Sequence, residues 1–409
     1  MRRKFCRNSM ACSWKRVVLL PLPLWILLCY LLYQSTTGPV GSRSDLFRLR
    51  NNKRGNWDTS STIHLGFVLR GERVFLRAVT LLKNIFYYQG RINDPSGSCV
   101  VRNYGSSGHV CRKEPIPGFN PVHVHIVADN ETRKMAHSCF TNASLPAFSW
   151  SLYDITPYLS FVEEFPNGHD TGPSAMVKIT WPFILEKDVD RFITLDTDTL
   201  FNHNIAELWS YFDRFNDEQV LGLAYEATAS SAYFQPDAQH PYADGGLNSG
   251  VILWYMKRIR LLPWEQLVRT GVLLQLREHS TLNGDQSVFN GIITHNPKLY
   301  FNLNCEWHVQ LWNEHSAPAC PVVWPERDPD ELDCISTLGR LGTNTQPNLL
   351  RLAHFNTAPK PETDNWTSNF QVEQASLTRV DRSLGITKLR ARFYTVYKRF
   401  RDLPITCFR

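Results

Sequence analysis

Residues 191–201 read RFITLDTDTLF. The first five form a short, mostly apolar run with the character of a buried strand, and Asp196 and Asp198 follow at once. Two carboxylates two residues apart, on irregular backbone just past a strand, can both turn toward one hard cation. Oxygen donors so placed suit Mn²⁺ or Mg²⁺ carrying a diphosphate, and the carboxyl ends of strands are where open α/β sheets bind ligands. Two aspartates in a surface turn give the same letters. The buried strand before them and Leu200 and Phe201 after them favour the ligand site.

Upstream, residues 63–69 (IHLGFVL) read as a strand closed by Arg70 and Gly71. Residues 74–88 follow, with Val74, Ala78, Leu81, Leu82 and Ile85 at helical spacing. Residues 122–127 (VHVHIV) alternate as a strand, residues 130–140 have helical spacing, and residues 173–185 read as a helix leading into the 191–195 strand. Strands and helices in alternation predict an α/β fold with a mostly parallel sheet. Residues 89–120, rich in Gly, Pro and Ser, read as an inserted surface loop.

Downstream, residues 245–253 (GGLNSGVIL) surround Asn248 with small residues immediately before an apolar strand, so a sugar or phosphate could approach the backbone closely. Gly284-Asp285-Gln286 offers a carboxylate and an amide where a helical pattern starts; Asp285 as a plain N-cap is the alternative. Residues 352–361 (LAHFNTAPKP) place His354 and Lys360 six apart after a strand-like run. Imidazole is a good third ligand for Mn²⁺, and lysine is a point-charge partner for phosphate. His123, His125, His295 and His308 lack such surroundings and read as structural.

The order of these segments resembles glycosyltransferase family 8, retaining nucleotide-sugar enzymes with a GT-A domain. It is most similar to the xylosyltransferase domain of the LARGE-type glycosyltransferases, with the glucoside xylosyltransferases next. IHLGFVLRGE, VHVHIVAD, SAMVKITWP, RFITLDTDTLF, NSGVILW, GDQSVFNGII, CEWHVQL and HFNTAPK carry the resemblance, across residues 63–397. It implies a Rossmann-like GT-A fold, a mostly parallel sheet with flanking helices, and a metal held by Asp196, Asp198 and His354. It further implies donor contacts from Thr197, Lys178 and Lys360, and from Leu65, Phe67 and Leu69 of the first strand, whose end would meet uracil and ribose. Asn248, Asp285 and Gln286 resemble the sugar-facing, catalytic positions. Lys360 stands at the phosphate lysine of an H-x-x-G-x-x-K-P-W motif in which Thr357 replaces the glycine and Glu362 the tryptophan. The expected reaction is Mn²⁺-dependent transfer of a sugar, xylose first, from a UDP-sugar to a glycan acceptor on a glycoprotein, with retention. UDP-glucose, UDP-galactose and UDP-glucuronic acid are the other donors in view. An inactive luminal scaffold and a sugar-binding module are readings of a different class.

Composition fits one large α/β domain: 409 residues, 43% hydrophobic and 20% charged. The net charge of +6 is matched by Arg2, Arg3, Lys4, Arg7, Lys15 and Arg16, so nothing supports a nucleic-acid partner. That basic block precedes residues 17–33, seventeen residues without a charge. They read as a single-pass signal-anchor with a cytoplasmic tail (1–16), a polar stem (34–62) and a luminal domain (63–409), a type II protein of the Golgi or ER membrane. A cleaved signal peptide is the rival reading. Asn130, Asn142 and Asn365 begin N-x-S/T sequons. Seven of the ten cysteines lie beyond the anchor, and Cys99 with Cys111 and Cys305 with Cys320 are the expected disulfides. Oligomeric state is open, a homodimer being one option.

Overall fold

The computed structural model describes residues 51–52, 62–92, 99, 119–226, 246–312, 320, 322, 324, 350–363 and 386–408. The expected tail, anchor and stem up to residue 50 lie outside them, as does Asn365. Among the described residues no helix is long and apolar enough to cross a membrane.

In chain order the elements are β1 (Asn51–Asn52), β2 (Ile63–Leu69), α1 (Glu72–Tyr88), β3 (Val122–Ala128), α2 (Asn130–Ala143), β4 (Phe148–Asp154), α3 (Thr156–Val162), α4 (Trp181–Ile184), β5 (Phe192–Leu195) and β6 (Thr199–Phe201). Then come α5 (Ile205–Trp209), β7 (Leu221–Tyr225), β8 (Leu247–Trp254), α6 (Met256–Ile259), α7 (Trp264–Glu278), α8 (Gly284–His295), β9 (Tyr300–Asn302), β10 (Val309–Gln310), β11 (Leu352–His354) and α9 (Ile386–Asp402). Eight strands form the main sheet in the order β1-β4-β3-β2-β5-β8-β7-β9. β4, β3, β2 and β5 run parallel, while β8 is antiparallel to both neighbours, β5 and β7. Parallel strands joined through helices are covered on both faces, and β3, β5 and β8 are buried along their whole length. The mostly parallel α/β sheet with flanking helices is the architecture the sequence led us to expect.

One segment departs from the expected secondary structure. Residues 173–185 do not form one α-helix: Gly172–Thr180 winds as a 3₁₀ helix and only Trp181–Ile184 is α-helical.

The second sheet is small and decides the site. β10 lies parallel to β11, and β11 is antiparallel to β6, with His354 opposite Thr199. That register brings the end of the Leu352–His354 strand to the Asp196–Asp198 turn.

Residues 89–120 leave the core at Gln89, whose Nε2 donates to the Asn120 carbonyl (3.1 Å) and closes the neck of the insertion. Cys99 bonds Cys407, not Cys111, and Ile92 pairs with Phe408, so the insertion is fastened to the segment after α9. Spacing along the chain carries no information about such a connection. Cys305–Cys320 forms as expected. Cys111 and Cys334 lie outside the described residues. Asn130 and Asn142 are exposed, at opposite ends of α2.

Candidate active site

β5 ends at Leu195, and the Asp196 amide donates to the Gly250 carbonyl of β8 (2.7 Å) while Phe355 N donates to the Asp198 carbonyl (2.8 Å). These bonds fix the aspartate turn between two strands. His354 Nε2 then lies 3.5 Å from Asp196 Oδ2 and 3.4 Å from Asp198 Oδ1. One donor atom from each of the three falls within 4.8 Å of the others. The other oxygen of each carboxylate is held by a lysine: Lys178 Nζ is 2.9 Å from Asp196 Oδ1, and Lys360 Nζ is 2.6 Å from Asp198 Oδ2.

His354 Nδ1 is 2.9 Å from His308 Nε2, and the two rings stack. With a proton on Nδ1, Nε2 is bare and faces both carboxylates. An imidazole nitrogen so oriented, with one oxygen from each aspartate, is a donor set that fits Mn²⁺. Gly250 leaves room for this pair: a Cβ there would sit 2.3 Å from His354 Cε1 and 2.9 Å from His308 Nε2.

Charge is balanced internally. Burial alone would raise the Asp198 carboxyl, but Lys360 and then His354 hold it well below its ordinary value. Lys178 is buried, which disfavours its charge, yet Asp196 and Asp285 together hold it as an ammonium. Burial pushes Asp285 up, helped by Asp196 and opposed by Lys178. Burial pushes His308 well below its ordinary value, so it stays neutral and can accept from His354.

The other end of the site is built around Asn248, Asp285 and Gln286. Asn248 lies inside β8, not before it. Its Nδ2 donates to Glu226 Oε2 (2.5 Å), and Gln286 Nε2 donates to the same oxygen (3.0 Å). Glu226 directly follows β7, and burial raises its carboxyl although both amides oppose the shift. Asp285 does not cap α8: the cap residue is Asn283, whose side chain makes no capping bond, the Gly284 amide donates to Asn167 Oδ1 (3.1 Å), and the Asp285 carboxylate meets Lys178 at 3.1 Å. Lys178 also donates to the Ser249 carbonyl (2.9 Å), tying α8, β8 and the aspartate turn together.

These groups line one cleft of about 800 Å³, which contains Asp196, Thr197, Asp198, Lys178, Asn248, Asp285, Gln286, His354 and Lys360. Leu65, Phe67 and Leu69 are not in it. All three are buried in the core beneath α1, and the cleft is lined instead by the alternate residues Gly66 and Val68, followed by Arg70. Side chains alternate faces along a strand, and the cleft takes the face opposite the large residues. Glu362, in place of the motif's tryptophan, pairs with the cleft-lining Arg77 (3.4 Å).

Sequence reasoning missed Glu226 and His308. Glu226 had a signal, an acidic residue just past a strand, as at Asp196. His308 had none, because its partner arrives through the β10–β11 pairing.

No family model matches the chain. Among curated proteins it is 31% identical to the xylosyl- and glucuronyltransferase LARGE1 of Danio rerio over 264 residues, 63% of this chain and 31% of that protein. It is 34% identical to LARGE2 of Mus musculus over 206 residues, 49% of this chain and 30% of the relative. The chain thus spans about a third of the length of the relatives it matches. Among solved structures, mouse xyloside xylosyltransferase 1 aligns with 72% of the chain at 18% identity and a TM-score of 0.47. The galactosyltransferase LgtC aligns with 74% at 12% identity and 0.45. Both structures are too distant to carry an argument. The resemblance carried by the motifs is borne out in the curated proteins, and over more than half its length this chain is similar to the LARGE-type xylosyl- and glucuronyltransferases.

Proposed function

We propose that the chain is a metal-dependent retaining glycosyltransferase that moves a sugar, xylose by preference, from a UDP-sugar to a glycan acceptor on a glycoprotein, on the luminal side of a Golgi or ER membrane. The convergence of Asp196, Asp198 and His354 carries this reading, in a cleft whose other end is the Asn248, Asp285 and Gln286 group. A Mn²⁺ held by these three side chains would supply positive charge against the diphosphate of the donor. Lys360, more than a third exposed at the cleft, adds a second charge for the phosphates. Lys178 holds Asp196 and Asp285 in register.

The test is UDP release by the purified luminal fragment across a panel of UDP-sugars, with Mn²⁺ and with chelator. UDP-xylose is expected to exceed UDP-glucose at least tenfold in kcat/KM, a gap of about 1.4 kcal/mol. Asp198→Asn is expected to lose nearly all transfer and the Mn²⁺-dependent binding of UDP. Equal turnover with UDP-glucose would remove the xylose assignment, and near-normal turnover in Asp198→Asn would remove the metal-dependent reading.

A further inference from the structure

Trp181, Trp254, Trp264, Trp307 and Trp324 are buried, but Trp312 is 39% exposed and its indole lines the cleft. Large apolar surface is usually withdrawn from water, and an exposed indole in a polar cleft suggests a ligand. This one is also held in place. Leu311 N donates to the His354 carbonyl (3.0 Å) and to Asn356 Oδ1 (3.0 Å), anchoring the preceding residue to β11. Arg390 of α9 donates to the Leu311 and Trp312 carbonyls (2.5 Å each). Gln310 Nε2 donates to the carbonyl of Tyr225, the residue before Glu226 (2.7 Å). The backbone that presents the ring is therefore preorganised, which lowers the cost of ordering it when something stacks on the ring.

Connectivity says which part of the substrates it meets. The Gln310–Tyr225 bond sets the segment of Trp312 beside that of Glu226, both line the cleft, and Glu226 holds Asn248 and Gln286, so the indole belongs to the sugar-facing end. The nucleotide end is formed elsewhere, by Gly66, Val68 and Arg70, with Arg70 reaching Ser174. A pyranose ring carries an apolar C–H face and a rim of hydroxyls. An indole face supports the first, and adjacent polar groups such as Glu226 and Asn356 serve the second. We propose that Trp312 is the acceptor platform, on which the terminal pyranose of the glycan acceptor stacks beside the donor sugar. This inference rests on the glycosyltransferase reading and names the acceptor subsite within it.

The experiment measures KM separately for acceptor and donor, together with saturation-transfer NMR on methyl β-xyloside, β-glucoside and β-galactoside. Trp312→Ala is expected to raise the acceptor KM about tenfold or more, within the range one stacking contact supplies, while the donor KM holds. The glycoside signals should collapse with it. Trp312→Phe, which keeps a ring but loses the N–H, should retain most of the affinity. An unchanged acceptor KM in Trp312→Ala, or an equal rise in the donor KM, overturns the platform. Absence of UDP-sugar turnover in the native protein would instead sink the glycosyltransferase reading, and the NMR signals of native and Trp312→Ala protein would still decide the role of the indole.

Discussion

His354 turns Nε2 to the two aspartates because its Nδ1 is taken up by His308. Groups that orient a ligand from behind typically contribute 10- to 100-fold in metal affinity, so His308→Ala is expected to weaken Mn²⁺ binding by about that factor, measured by calorimetry, with the fold retained. Unchanged affinity would mean that the stacking of the two rings is packing alone. Glu226 makes a prediction about pH. Burial raises its carboxyl above the ordinary 4.5, so the folded state favours the proton. The stability it contributes is full below 4.5 and is lost as pH rises through the raised value. Glu226→Gln removes that loss. The melting-temperature difference, variant minus native, should be smallest near pH 4 and grow toward pH 7; a flat difference would contradict the assignment. Asp196 and Asp198 could be read from sequence because two residues and one strand make their geometry. Glu226 and His308 act through neighbours brought in by strand register, which no local spacing encodes.

β2, α1, β3, α2 and β5 were legible because each depends on local periodicity, and β2 began and ended where IHLGFVL does, whereas β4, β7 and α7 went unread. Which face of β2 served the cleft was not legible. Leu65, Phe67 and Leu69 look like the informative residues, yet size is the signature of the core side, and the cleft side is marked by Gly66 and Val68. The antiparallel insertion of β8 between β5 and β7 was equally hidden, since it depends on how the ends of the sheet close. The Cys99–Cys407 bond belongs to this scale as well. It closes a loop of 308 residues between the insertion and the segment after α9. Replacing both cysteines with serine is expected to cost about 2–5 kcal/mol, seen as a lower urea midpoint. Turnover below the melting temperature should hold, because the bond lies outside the cleft-lining set. Lost turnover in a still-folded double variant would show that the bond shapes the site.

For the molecule as a whole, the apolar residues 17–33 and the basic residues before them make the membrane assignment testable. Carbonate extraction should leave the protein with membranes, and endoglycosidase should lower its apparent mass through Asn130, Asn142 or Asn365. Full release into the soluble fraction would favour a cleaved signal. The fastening around α9 also dictates the timing of assembly. Lys83 of α1 donates to the carbonyls of Arg401 and Leu403, Phe86 meets Phe408, and Tyr87 meets Phe400. A ribosome makes α1 early and this clamp more than 300 residues later. Throughout that interval the apolar side of α1 must wait without its final cover, exposed to chaperones and to premature thiol pairing. The sheet can begin to form during translation, but the protein can close only after residue 408 has emerged.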